Sequence, residues 1–159
     1  MLRLMRELPA NSNERNRYLW AVFQLDPTEV ARRLIGSHRP SRDLAMSWLL
    51  HVTDDDPRLT TAWQEVRRLL GADGLMLERW YRIVRAQPKL YAPAFIQDLV
   101  DNLVHRSVAV RASAIRFLRT KFPTERHGFN PDANIRTQQN SRTGWIRFSA
   151  RYKQRFNNR

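Results

Sequence analysis

Three observations place this chain in the all-α class, as about eight helices in antiparallel pairs. Apolar residues recur three and four positions apart in segment after segment, which gathers them on one side of a helix. Fresh helix starts near Ser41, Asp73 and Ser107 are separated by roughly one helical hairpin. No β-hairpin signal and no alternating apolar–polar run competes with that pattern. The hairpins are expected either to stack as a short solenoid or to close into a bundle.

Taken in order, residues 1–10 read as an N-terminal extension with Pro9 near its end. Asn11 or Ser12 is the cap of a first helix running to Leu25, with Tyr18, Leu19, Val22 and Phe23 apolar and Trp20 on a face the spacing leaves open. Asp26-Pro27-Thr28-Glu29 is a start signal, with Asp as cap, Pro in the first turn and Glu at the capping-box position. That second helix, Pro27 to Ile35, ends at Gly36. Pro40-Ser41 opens a third, from about Ser41 to Val52, lined by Leu44, Ala45, Trp48 and Leu49.

The run Asp54-Asp55-Asp56-Pro57 gives a loop and another start. Ala62, Val66, Leu69 and Leu70 line the fourth helix as far as Gly71. Asp73-Gly74 begins the fifth, with Leu77, Trp80, Tyr81 and Val84 on its stripe and Pro88 at its end. A sixth runs from about Ala92 to Val104, with Phe95, Ile96, Leu99, Val100 and Leu103 inward. The segment His105 to Pro123 is the most regular amphipathic unit. Val108, Ala112 and Ile115 lie beside Val110, Ala114, Leu118 and Phe122, while Arg116, Arg119 and Lys121 fall away toward water. Ser107 is its expected N-cap and Pro123 its stop, and Ala109, Ala112, Ser113 and Ala114 permit close approach of a neighbour. After a polar start at Asn134, a last helix carries Trp145, Phe148, Tyr152 and Phe156 on one stripe and Arg147, Arg151 and Arg155 on another. Helical spacing makes core the expected fate of the aromatic stripe.

The stretch His105-Arg106-Ser107-Val108-Ala109-Val110-Arg111-Ala112-Ser113-Ala114 resembles the second-helix pattern of HEAT-type α-helical repeats. The run His127-Gly128-Phe129-Asn130-Pro131-Asp132-Ala133, followed by Gly144-Trp145-Ile146-Arg147-Phe148, is similar to the end of certain bacterial HEAT-repeat domains, with Phe148 where tryptophan is commoner. The resemblance implies antiparallel hairpins stacked as a short HEAT-like α-solenoid, with 11–123 as the repeat domain and 124–159 as its basic aromatic capping helix. It also implies that Arg111 bonds carboxylates of a neighbouring turn, with Asp98 and Asp101 the nearby candidates.

Composition bounds the function. The 159 residues are 42% hydrophobic, enough for a substantial core in what reads as one domain. No stretch is long and apolar enough for a transmembrane helix, and MLRLMRELPANSNERNRYLW holds no long apolar segment of the secretory kind, so a cytoplasmic location is expected. The chain has no cysteine, which removes disulfides, thiol nucleophiles and cysteine-held metals. His38, His51, His105 and His127 show no metal-ligand spacing, and neither a nucleophile elbow nor a phosphate-cradling glycine loop is present. Asp54, Asp55 and Asp56 have the oxygen chemistry for a divalent cation, but acids directly before a helix more simply cap its amides and complement its dipole. No enzyme, metal or cofactor is therefore expected.

The charge remains. Net charge is +13, and residues 105–159 hold thirteen Lys or Arg against Glu125 and Asp132 alone. Only three of the 28 basic residues are lysines, and arginine favours bidentate carboxylate or phosphate contacts. The expected function is a non-enzymatic scaffold, an adaptor or subunit of a larger assembly, that docks an anionic partner through Arg147, Arg151 and Arg155, then Arg116 and Arg119. Its alternative is direct binding of an RNA or DNA backbone. A catalytic solenoid, similar in broad architecture to alkylpurine glycosylases or bilin lyases, is a third reading with no motif here to carry it.

Overall fold

The computed structural model describes residues 13–86, 89–125 and 127–158. The extension over 1–10, the candidate caps Asn11 and Ser12, and Pro88 lie outside the described residues. Every regular element described is helical, and the chain divides into two compact units between Arg85 and Ala86.

The first unit contains α1 (Asn13–Leu25), α2 (Thr28–Ile35), α3 (Arg39–His51), α4 (Pro57–Leu70) and α5 (Ala72–Arg85). Asp26 accepts from the Thr28 amide at 3.0 Å, as a cap should. The capping box does not close: the Asp26 amide already bonds the Val22 carbonyl, and Glu29 turns to Arg33 and Arg32 instead. α3 starts earlier than Ser41, because His38 is its cap. His38 Nδ1 takes the Ser41 amide at 3.3 Å, and Pro40, with no amide hydrogen to satisfy, fits the first turn. Asp56 caps α4 through the Arg58 amide at 2.9 Å.

Gly71 ends α4 with φ of +57°, a left-handed conformation that needs no Cβ to be relieved, and α5 follows at once. Gly74 lets the two helices close up: a Cβ there would lie 2.7 Å from the Val66 carbonyl oxygen. α1 packs on α2 and α3, α2 on α3 and α4, and α5 on α3 and α4. Phe23 meets Trp48 edge-on at 6.3 Å, and Trp63 meets Tyr81 at 5.1 Å. Arg58 reaches Gln24 of α1, and Arg85 closes the end of α3 by donating to the Leu49 carbonyl at 2.6 Å and to the Val52 carbonyl. A cation at a helix C-terminus also meets the negative end of the dipole.

The second unit contains α6 (Pro93–Asp101), a 3-10 turn (Asn102–Val104), α7 (Val108–Lys121) and α8 (Ile135–Asn157). The expected sixth helix is thus an α-helix finished by a tighter turn. α6 packs on α7 and α8, and the 3-10 turn touches all three. Phe95, Ile96, Leu99, Val100 and Leu103 are buried, as are the small residues Ala109, Ala112, Ser113 and Ala114 of α7. Ser107 precedes α7, but its hydroxyl makes no capping bond; its amide is tied back to His105 Nδ1 at 3.1 Å. Arg111 donates to the main-chain carbonyls of Pro131, His105 and Arg106, and Asp101, a carboxylate the resemblance offers it, pairs with Arg142 instead.

Candidate anionic-partner surface

The site is built on α8, and the contacts that seat this helix position it. Asn134 caps it through the Thr137 amide at 2.9 Å. The turn before it is clamped from both sides: the Pro131 carbonyl accepts from Arg111 Nε at 2.9 Å and from the buried Gln138 amide at 3.1 Å, and the Phe129 carbonyl accepts from Arg119 at 2.8 Å. Along its length α8 is joined to α6 and the segment before it. Arg142 donates to the Val100 carbonyl, Ser149 bonds Gln97 at 2.8 Å, and the Tyr152 hydroxyl donates to the Tyr91 carbonyl at 2.7 Å. Trp145 is wholly buried and meets the His127 ring edge-on at 5.2 Å, and that ring lies where a side chain at Gly144 would be.

Because these contacts fix the rotation of α8, they also decide what it shows to solvent. The helix carries Arg136, Arg142, Arg147, Arg151, Lys153 and Arg155 and no acidic residue. Arg142 is neutralised by Asp101 at 2.5 Å, and Arg151 lies 3.7 Å from Glu125. Arg136, Arg147, Lys153 and Arg155 are exposed and have no ion-pair partner among the described residues. Arg136 stands in the first turn, where the positive end of the helix dipole disfavours a cation. Across the second unit, fourteen basic residues face four acidic ones; the first unit is nearly balanced, with fourteen against eleven.

The predicted site residues therefore separate. Arg147, Arg151 and Arg155 follow one another by a turn along one side of α8, all exposed. Arg116 and Arg119 belong to α7: Arg116 is half-buried, and Arg119 is exposed while one Nη holds the Phe129 carbonyl. Lys121, expected in water, is half-buried with its ammonium 4.9 Å from the centre of the Tyr91 ring. Burial pushes the Tyr91 phenol above its ordinary pKa. Glu125 is approached by His127 Nε2 at 3.0 Å, off-line for a hydrogen bond.

The aromatic stripe has two fates. Trp145 and Phe148 are core, as the spacing leads one to expect, whereas Tyr152 is half-buried and Phe156 is 38% exposed. These outer rings, with Phe122, Phe148 and Leu90, line an open cleft of about 250 Å³ whose polar members are Thr124, Glu125 and Arg155. The sequence does not disclose it, because Leu90, Phe122 and Phe156 are far apart in the chain; the one available signal was Leu90, standing outside any expected helix.

Asp54 and Asp56 are occupied structurally, Asp54 with Arg85 at 2.8 Å and Asp56 with Arg58 at 2.6 Å. The Arg58 hydrogen bond holds the Asp56 carboxyl below its usual pKa, and Arg68 does the same for Glu65. Among the described residues no cluster of three metal-ligating side chains occurs, and no helix is long and apolar enough to cross a membrane. No protein-family model, curated protein or solved structure matches this chain.

Proposed function

We propose that this chain is a non-enzymatic, HEAT-like helical-repeat module, an adaptor or subunit of a larger assembly, that holds an anionic partner through its arginine-rich C-terminal third. The observation carrying this reading is the solvent face of α8, acid-free and held in register by buried contacts, with Arg147 and Arg155 unpaired among the described residues. Cations carried on a well-seated helix attract and orient an anion, and among the described residues Arg147 and Arg155 have no internal ion pair to break first. The helix order within each unit supports the repeat reading, since the main contacts run to helices one or two places along the chain, as in stacked hairpins. An acidic protein surface is the partner of this reading. Direct binding of a nucleic-acid backbone is favoured by a second observation, the aromatic rings beside the arginines of α8.

Anisotropy titrations of a labelled polyglutamate peptide and a labelled single-stranded oligonucleotide over a salt series test it. Wild type is expected to bind at least one of them, more weakly as salt rises, and Arg147, Arg151 and Arg155 changed together to Gln should weaken binding at every salt. For the nucleic acid, losing three phosphate contacts lowers the salt slope by about 2. A folded triple variant that binds like wild type would overturn the proposal.

A further inference from the structure

The cleft at the end of α8 combines features that one ligand class shares. Phe156 and Leu90, exposed at 38% and 43%, line it together with the half-buried Tyr152 and Phe122. The Tyr152 and Phe156 rings are 6.2 Å apart and tilted by 34°, one turn apart on α8, and both line the cleft. The Tyr152 hydroxyl is committed to the Tyr91 carbonyl, which holds that ring in place. At the rim stands Arg155, exposed and without a partner among the described residues; opposite in charge is Glu125, already approached by Arg151 and His127.

We infer that this cleft receives an unpaired base of a single-stranded nucleic acid, stacked on Phe156 and Tyr152, with a neighbouring phosphate on Arg155. This inference rests on the anion-binding face of α8 proposed above and takes the second of its two partners, a nucleic acid. Three parts of a nucleotide match three parts of the cleft. A base has a π-face for the rings, amino and imino edges that donate to the Glu125 carboxylate, and a phosphate for the guanidinium. An acidic peptide brings its ring and its charge on separate residues, whereas a nucleotide carries π-face, donor edge and anion in one unit. Along the helix, Arg151 and Arg147 continue the row from Arg155 at one turn each, so a strand leaving the cleft meets further cations. A duplex, its bases already stacked, cannot fill the cleft in this way.

The test uses the full chain and two labelled strands of about 15 nucleotides, one of thymidine and guanosine and one abasic throughout, so that backbone charge is equal. Wild type is expected to bind the base-bearing strand about tenfold more tightly at one salt. Phe156→Leu should bring that strand to the abasic level and leave abasic binding unchanged, and Phe156→Trp should keep the preference. Arg155→Gln should weaken both strands. Equal binding of the two strands by wild type overturns the base pocket and leaves the basic face standing. Binding of neither at low salt, together with no binding of polyglutamate, removes both. A Phe156-dependent preference for an acidic, phenylalanine-bearing peptide over the strands gives the cleft to a protein and overturns the inference.

Discussion

Replacing Gly144 by alanine sets two effects of opposite sign against each other, and the structure decides between them. In the interior of a long helix, Gly→Ala ordinarily gains about 1 kcal/mol, through lower backbone entropy in the unfolded chain. Here the new Cβ would lie 2.5 Å from His127 Nδ1, 2.8 Å from its Cγ and 3.2 Å from its Cβ. The whole side chain must shift, not its tip. It is braced by the Trp145 ring at 5.2 Å, and Glu125 lies 3.0 Å from Nε2. Overpacking of this kind costs about 1–3 kcal/mol, so the expected net loss is about 1 kcal/mol. In a His127→Ala background the obstacle is gone and the same substitution should stabilise by up to about 1 kcal/mol, a coupling of about 2 kcal/mol. A double-mutant cycle by urea unfolding, followed by tryptophan fluorescence, measures it. If Gly144→Ala stabilises equally with and without the His127 ring, the packing argument for the seating of α8 is wrong.

The first unit offers two further checks. Arg85→Met removes the donors that close α3, leaving the Leu49 and Val52 carbonyls without them, and should cost about 2–3 kcal/mol in urea unfolding; Arg85→Lys, a point charge without the fork, should recover only part of it. The second check is acid stability. Asp56 and Glu65 have folded pKa values below their ordinary ones, so their contribution is present above the unfolded value of about 4 and is lost as pH falls below it. Melting temperature should therefore decline on acidification below about pH 4, and Arg58→Gln with Arg68→Gln should make that decline shallower.

Local signals in the sequence foretold the helices well where one residue decides the outcome. Asp56 and Asn134 are caps, Gly71 is a stop, and Pro123 lies just beyond the end of α7. The misses come from competition for the same atoms. Glu29 does not complete a capping box because Val22 already holds the amide it would take, and the helix expected to open at Pro40-Ser41 is capped by an imidazole, His38. A stripe at helical spacing states which residues share a side, not how far along the helix the cover extends, so Trp145 and Phe156 look equivalent in sequence and differ in burial. The cleft depends on Leu90, Phe122 and Phe156 arriving together, and no spacing rule reaches that far. The arginines of α8 were legible as a row; that Arg119 and Arg111 also clamp the closing turn was not, since the bonds that do so go to main-chain carbonyls.

The absence of acids on α8 has a cost in the uncomplexed protein. Arg147, Arg151 and Arg155 repel one another across successive turns, and each such pair opposes the helix by about 0.2–0.5 kcal/mol at low ionic strength. Arg136 adds a further mismatch with the dipole. Dissolved salt relieves this self-repulsion, and so does a bound anion. Ionic strength therefore pulls in two directions: it firms the helix while loosening its grip. A polyanion seated along the row does the work of the salt it displaces, so occupancy should steady the last turns of α8 most where the unliganded chain is most strained.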